Sequence, residues 1–411
     1  MPSVCLYFQV HQPYRLRRYS YFDVANATEY FDEKLNRSIM ERVARQCYLP
    51  ANEALLRALR AHDGAFKVSF SVSGTAIEQM RLYAPEALES FRALAATGHV
   101  EFLGETYYHS LASLFDRDEF EAQVRVHSDV IEQEFGQRPR VFRNTELIYS
   151  NEIGRLVGEL GFRAMMIEGV KDVLGWRSPN FVYRVAGATT KLLPRNFKLS
   201  DDIAFRFTQG DGVEAGPLTP HRYAARLHEL TGNADLVGLF LDYETFGEHH
   251  GSHVGVVTFL EELPRHALAH KEWTFCMPSE AVRYLHPVSE LSFSRVTSWA
   301  DTERDVSAWC GNKMQQGALA ALYDRPSLYA EADVQAFDMA VARETWRRLQ
   351  TSDHFYYMST KGEADGAVHR YFSPFESPYD GFVAYMNVLK DIRARSREVT
   401  AGRHSRIVSN E

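Results

Sequence analysis

The sequence predicts an α/β barrel followed by a helical region, and three observations predict it. Short apolar runs alternate with amphipathic helices as far as about Ser289, the pattern of parallel βαβ units. Several runs end abruptly in charge: Leu236 to Leu241 passes straight into Asp242-Tyr243-Glu244-Thr245-Phe246-Gly247-Glu248-His249-His250. A short apolar run bounded by turn signals reads as a buried parallel strand, and acids at the carboxyl end of such strands are where barrels keep their chemistry. Beyond Ser289, helical spacing continues without intervening strands.

The elements follow in order. Val4 to Val10 is the first strand and runs into His11-Gln12-Pro13. The next helix is punctuated by Pro50, restarts at an Asn52 cap and carries Leu55, Leu56 and Leu59 on one face. Lys67 to Val72 is the second strand. A helix opening at Pro85 places Leu88, Phe91 and Leu94 together and stops at Gly98. His99 to Glu105 is the third strand, and its helix carries Phe120, Val124, Ile131 and Phe135. Arg140 to Glu146 is the fourth, followed by a helix after Ser150. Phe162 to Ile167 and Thr190 to Leu193 are weaker strands. A helix opening at Thr219-Pro220 leads to the strand Leu236 to Leu241, and Trp273 to Met277 adds a short terminal strand. Seven or eight βα units suit an incomplete or full barrel better than an open sheet. Val306, Trp309, Cys310, Met314 and Leu322 then keep helical spacing. So do Val334, Phe337, Val341 and Leu349, and Phe382, Tyr385, Leu389 and Ile392; the chain is expected to fray from about Arg395.

Composition bounds the function. The 411 residues are 45% hydrophobic and 24% charged, as in a globular protein with a large core. A balance of 46 basic against 54 acidic residues gives −8, which argues against a general nucleic-acid binder. Much of the 26 Phe, 21 Tyr and 5 Trp is core, but such a surplus is also what a sugar-binding cleft would draw on. Cys5, Cys47, Cys276 and Cys310 form no CxxC pair, so a structural zinc site is not expected. The chain opens directly on a strand and contains no apolar run of about 20 residues, which predicts a cytoplasmic protein that crosses no membrane. The helical faces suit a homodimer as well as a domain junction.

His11, Glu105, Glu146 and Asp242 each end a predicted strand and would face one barrel mouth. Unpaired charges beside a core are costly, so the set calls for a reason. Ion pairing with Arg143 or Arg195 is the bland explanation. Glycoside hydrolysis by two carboxylates is one chemical explanation. Metal-dependent hydrolysis, with His11, Asp242, His249 and His250 as ligands, is another, although these histidines form no HxxxH or HEXXH pattern.

His11-Gln12-Pro13, Glu105 after Phe102-Leu103-Gly104, Asn144-Thr145-Glu146 and Asp242-Tyr243-Glu244-Thr245-Phe246-Gly247 resemble, in order, signature regions of glycoside hydrolase family 57. Ser298-Trp299-Ala300-Asp301 with Trp309-Cys310-Gly311-Asn312 resembles the fifth region, of the α-amylase branch. The resemblance implies a (β/α)7 barrel over 1–288 and a helical domain over 289–411 completing the cleft. It implies retaining action on α-linked glucans without a cofactor. Glu146 falls on the nucleophile and Asp242 on the general acid/base. Thr145 stands where the family often has Pro. His11, Glu105 and Glu244 fall on positions that contact or orient substrate; Trp299, Asp301 and Trp309 fall on the fifth region, with helix packing as the alternative. The acid/base role requires Asp242 to hold its proton at neutral pH, through burial and the charge of Glu146 or Glu244. Alternatives are a 4-α-glucanotransferase or branching enzyme, a catalytically weak glucan-binding homologue, and a metal-dependent polysaccharide deacetylase.

Overall fold

The computed structural model describes residues 1–209, 216–324, 337–361 and 373–408. Contacts divide the chain into two units that interleave in sequence. One comprises Met1–Gln12, Arg37–Thr106 and Val124–Trp299; the other comprises Pro13–Asn36, Tyr107–Gln123 and Ala300–Glu411. A single cut between 288 and 289 does not anticipate the two early segments of the second unit.

The first unit is built on a mostly parallel sheet: β1 (Ser3–Val10), β2 (Val68–Val72), β3 (Val100–Phe102), β4 (Val141–Arg143), β5 (Ala164–Glu168), β6 (Tyr183–Val185), β7 (Lys191–Arg195), β8 (Leu236–Asp242), β9 (Thr274–Phe275) and β10 (Glu290–Leu291). β1 pairs with β2, β2 with β3, β4 with β5, β5 with β7, β7 with β8, and β8 returns to β1, all in parallel. The remaining gap is closed just past β3, where Gly104 bridges Phe142 of β4 in parallel. A Cβ at Gly104 would lie 2.6 Å from the Phe162 ring, so the closure needs a residue without a side chain. Seven strands therefore complete the ring. The expected terminal strand is β9, which borders the first residues of β1. β6, which the periodicity did not reveal, folds back antiparallel on β7 and carries β10.

Strand parity explains where the chemistry sits. Cys5 and Tyr7 of β1, Val141 of β4, Ala164 and Met166 of β5, Leu193 of β7 and Leu236 and Phe240 of β8 form one buried cluster inside the ring. Side chains two residues apart share a face. The same inward parity, carried to the strand ends, delivers Gln9 and His11, Arg143, Glu168, Arg195 and Asp242. The opposite parity supplies the aromatic layer outside the ring. Phe8 meets Phe70 and Tyr243 at 5.4 and 5.1 Å between centroids, and Phe70 meets Phe91 at 5.4 Å.

The surrounding helices obey local rules at most ends. Ser150 and Thr219 cap theirs by accepting the N–H of Ile153 and Arg222. Asn52 does not cap. It lies within the helix Leu49–Ala61, where its amide donates to Ser90 Oγ (2.7 Å) and its carbonyl accepts from the Tyr243 hydroxyl (2.6 Å). Pro50 lies within a continuous helix, directly after a π turn at Ala44–Tyr48 that shifts the hydrogen-bond ladder, which is where a missing N–H is tolerated.

The second unit is helical: Ser307–Cys310, Lys313–Tyr323, Phe337–Arg348, Ser352–Tyr356 and Pro378–Val408 are its helices among the described residues from Ala300 onward. Its core includes Leu319, Leu322, Trp346, Leu349, Phe355, Tyr385 and Leu389, whereas Val341 is exposed. Val334 lies outside the described residues. The last helix continues past Arg395 to Val408. The early segments are tied in by charge and hydroxyls. Tyr30 and Tyr19 donate to Asp391 at 2.7 and 3.1 Å, and Arg347 pairs with Glu119 at 3.0 Å. Among the described residues, no helix is long and apolar enough to cross a membrane.

Candidate active site

Glu146 sits three residues past β4 on a loop with an unusual backbone. Its φ is +56° and that of Leu147 is +49°, a left-handed pair of side-chain-bearing residues. Such a conformation costs on the order of 1–2 kcal/mol per residue and persists only when the surroundings fix it. The fixings are present. Asn144 donates to the Ile148 carbonyl (2.9 Å), the Thr106 and Thr145 hydroxyls are 2.9 Å apart, and Tyr149 exchanges two 2.9 Å backbone hydrogen bonds with Thr297. Leu147 is fully buried in the ring's apolar cluster. Glu146, 9% exposed, is held twice by Trp299: the backbone N–H donates to its carbonyl (3.2 Å), and the indole Nε1–H to its Oε2 (2.8 Å).

The neighbouring strand ends form one polar layer. Gln9 is the register partner of both Ser71 and Asp242. Its carbonyl accepts from Tyr7 and Ser71, each at 2.7 Å, and its amide donates to Glu105 Oε1 at 3.1 Å. Glu105 is fully buried. Its backbone N–H meets His127 Nδ1 at 3.2 Å, while His127 Nε2 lies 2.9 Å from the Val72 carbonyl. One ring nitrogen thus accepts and the other donates, which makes His127 a neutral imidazole with its proton on Nε2. His11 Nδ1 is 2.8 Å from Ser73 Oγ. Asp242 ends β8 partly exposed. Glu244, two residues on, is buried, accepts from the Tyr48 hydroxyl (2.5 Å) and lies 3.5 Å from the Gln12 amide. Burial, and then the charge of Asp242, pushes the Glu244 carboxyl up to about 8.

Two carboxylates, Glu146 and Asp242, therefore stand at the same end of a seven-stranded ring, one gripped by an indole and the other partly open. Residues 5–294 match the family model of glycosyl hydrolase family 57. The chain belongs to that family. A Methanocaldococcus jannaschii protein provisionally named alpha-amylase is 41% identical over 402 residues, covering 96% of this chain and 85% of that protein. The family 57 chain is thus an enzyme of glycoside-hydrolase type. Solved structures share its fold. The 4-alpha-glucanotransferase of Thermococcus litoralis matches 96% of the chain with a TM-score of 0.67 at 15% identity, and the chain spans 60% of that protein's length. The branching enzyme of Thermococcus kodakaraensis matches 96% of the chain and 90% of its own, with a TM-score of 0.67 at 14% identity.

Asp301 and Trp309 belong to the second unit. Asp301, at φ +53°, accepts from Lys361 Nζ at 3.1 Å. Trp309 is 1% exposed and packs edge-on to Tyr356, so here it is a core residue rather than a sugar platform. Neither Arg143 nor Arg195 neutralises the paired acids through a hydrogen bond. Arg195 is engaged by Glu168 (3.2 Å), Asp201 (2.6 Å) and the Phe240 carbonyl (2.9 Å). The imagined metal set is dispersed: His250 Nε2 meets the Ala204 carbonyl at 2.9 Å, and no three His, Cys, Asp or Glu are grouped to hold a metal among the described residues. Gln9, Gln12, Tyr48, His127 and Glu168 were missed. A signal existed for Gln9, a polar residue two positions before His11 in an apolar strand, and for Glu168, two positions past inward Met166.

Proposed function

We propose that this family 57 enzyme hydrolyses α-1,4-glucosidic bonds of α-glucans such as starch, glycogen or maltodextrin, with retention through a covalent intermediate. The observation carrying the proposal is Glu146, presented at the barrel mouth on a left-handed backbone and aligned by the Trp299 N–H. The provisional alpha-amylase name of the 41% identical relative supports hydrolysis as the outcome. Glu146 attacks the anomeric carbon while the bond to the leaving oxygen breaks, and Asp242 gives that oxygen its proton. Water then attacks the same carbon, its proton passes to Asp242, and Glu146 is released.

Burial and then the charge of Asp242 raise the Glu244 carboxyl, so these two neighbouring acids titrate as a coupled pair. Sugar covering the partly exposed Asp242 would strip water from it and raise its proton affinity. Glu105 and Glu244, both buried, serve as supports that orient the layer.

The test is product analysis on soluble starch and maltooligosaccharides, in chelator, with wild type beside Glu146→Gln and Asp242→Asn. New reducing ends from wild type alone are expected. Redistributed chain lengths without new reducing ends would make the enzyme a transferase, and no reaction from folded protein would remove the proposal.

A further inference from the structure

Two cations lie over the indole of Trp299, and they differ in one respect. The Arg195 guanidinium, 5.6 Å from the ring centroid, is compensated by Glu168 and Asp201. The Arg143 guanidinium is nearer, at 4.8 Å, and fully buried, and its Nε, Nη1 and Nη2 make no hydrogen bond among the described residues. A buried guanidinium without a hydrogen-bonding partner from the described residues is costly to keep. Arginine in that position therefore needs a return that packing alone, which an apolar side chain would provide, does not give.

The return is found on the other side of the ring system. A cation on an aromatic face is attracted by the ring's electron density, and indole is the strongest such partner. Drawing density toward the face leaves the indole N–H more positive, and donors and acceptors in a low-dielectric chain strengthen one another. That N–H is the group that meets Glu146 Oε2 at 2.8 Å. The neighbouring backbone N–H of Trp299 also holds the Glu146 carbonyl, so the residue fixes both the strained loop and its carboxylate.

We infer that Trp299 is a positioning residue for Glu146, and that Arg143, buried behind it, supplies the positive charge that makes its N–H an effective donor. This inference rests on the reading of Glu146 as nucleophile. It differs from a sugar-stacking role, because it rests on the indole N–H that meets Glu146 and not on the partly exposed ring. The other charged or titratable groups around this chain of contacts are Glu105 after β3, Asp242 of β8, Glu168 of β5, Arg195 of β7 with Asp201, and Tyr7 of β1. Tyr7 feels Arg143, Glu105 and Asp242 together.

The experiment compares wild type, Glu146→Gln, Trp299→Phe, Arg143→Met and Arg143→Lys on maltooligosaccharides across pH, each shown folded by circular dichroism. Trp299→Phe is expected to lower kcat by about 100-fold, the scale of losing one donor to a reacting charge, while KM stays within about threefold. The acid limb of kcat/KM should move up by about one pH unit, because the ionised nucleophile has lost a donor. Arg143→Met should shift both in the same direction, and Arg143→Lys, which keeps the charge, should recover most of the loss. A raised KM with unchanged kcat in Trp299→Phe would make Trp299 a sugar subsite and overturn the inference. Equal behaviour of Arg143→Met and Arg143→Lys would remove the charge from it. Full activity in Glu146→Gln would instead overturn the nucleophile reading. Should wild type process no glucan, the same variants are compared by ¹³C titration of labelled glutamate side chains, with Glu146 identified by its loss in Glu146→Gln. An unmoved Glu146 titration in Trp299→Phe and Arg143→Met would overturn the inference there too.

Discussion

Glu244 keeps its proton where a surface glutamate would release it. Its carboxyl rises from an ordinary 4.5 to about 8 on folding, through burial first and the Asp242 charge second. The folded chain therefore binds more protons than the unfolded chain between those values, and stability falls as pH climbs through that window. The full cost, reached near pH 8 and above, is roughly 5 kcal/mol as an upper bound. Glu244→Gln keeps an acceptor for the Tyr48 hydroxyl and removes the charge. Urea unfolding at pH 5, 7 and 9 should show the variant matching wild type at pH 5 and gaining on it up to about pH 8; parallel profiles would contradict this account. Asn52 offers a second test at the same scale. Were it a helix cap, Asn52→Ser would be nearly neutral. Because it instead accepts from the buried Tyr243 hydroxyl, Asn52→Ser should cost about 2 kcal/mol in a denaturant titration.

Turns rather than strands carry the exactness of the site. Gly247, at φ +140°, lies so close to the Gln46 carbonyl that a Cβ would sit 2.1 Å from its oxygen. Gly247→Ala should destabilise by about 3 kcal/mol or more, seen in thermal unfolding, and depress turnover through the adjoining Asp242–Glu244 turn. Asn144→Ala removes the side-chain bond to the Ile148 carbonyl and should lower kcat more than it raises KM, by loosening the loop that holds Glu146. These loops mark the boundary of what sequence conveys. Glu146 and Asp242 could be placed because an apolar strand visibly ends beside each. The left-handed pair at Glu146 and Leu147 left no signal, because neither residue type announces positive φ. His127 was likewise silent: it sits mid-helix, and its partners, the Glu105 N–H and the Val72 carbonyl, are backbone groups from other elements.

At the scale of the whole chain, alternation of strand and helix was sufficient to predict the barrel, since buried parallel strands must be apolar on both faces. β6 escaped because three residues with an exposed centre carry too little periodicity. The interleaving of the two units escaped for a different reason. Pro13–Asn36 and Tyr107–Gln123 are as apolar as the rest of the chain, so composition does not set them apart, and only distant partners give them a place. Those partners lie far along the chain: Tyr30 and the Asp391 it donates to are 361 residues apart. On a ribosome adding about 5–20 residues per second, Tyr30 would wait roughly 20–70 s for its acceptor to be made. Through that interval Tyr19 and Tyr30, both buried at the end, have no finished core to enter. The nascent chain therefore leaves these two tyrosines exposed even while its first strands can pair. Removing the final helix should damage yield far beyond the helix's own share of the core, and soluble expression of a chain ending before Pro378 would measure it.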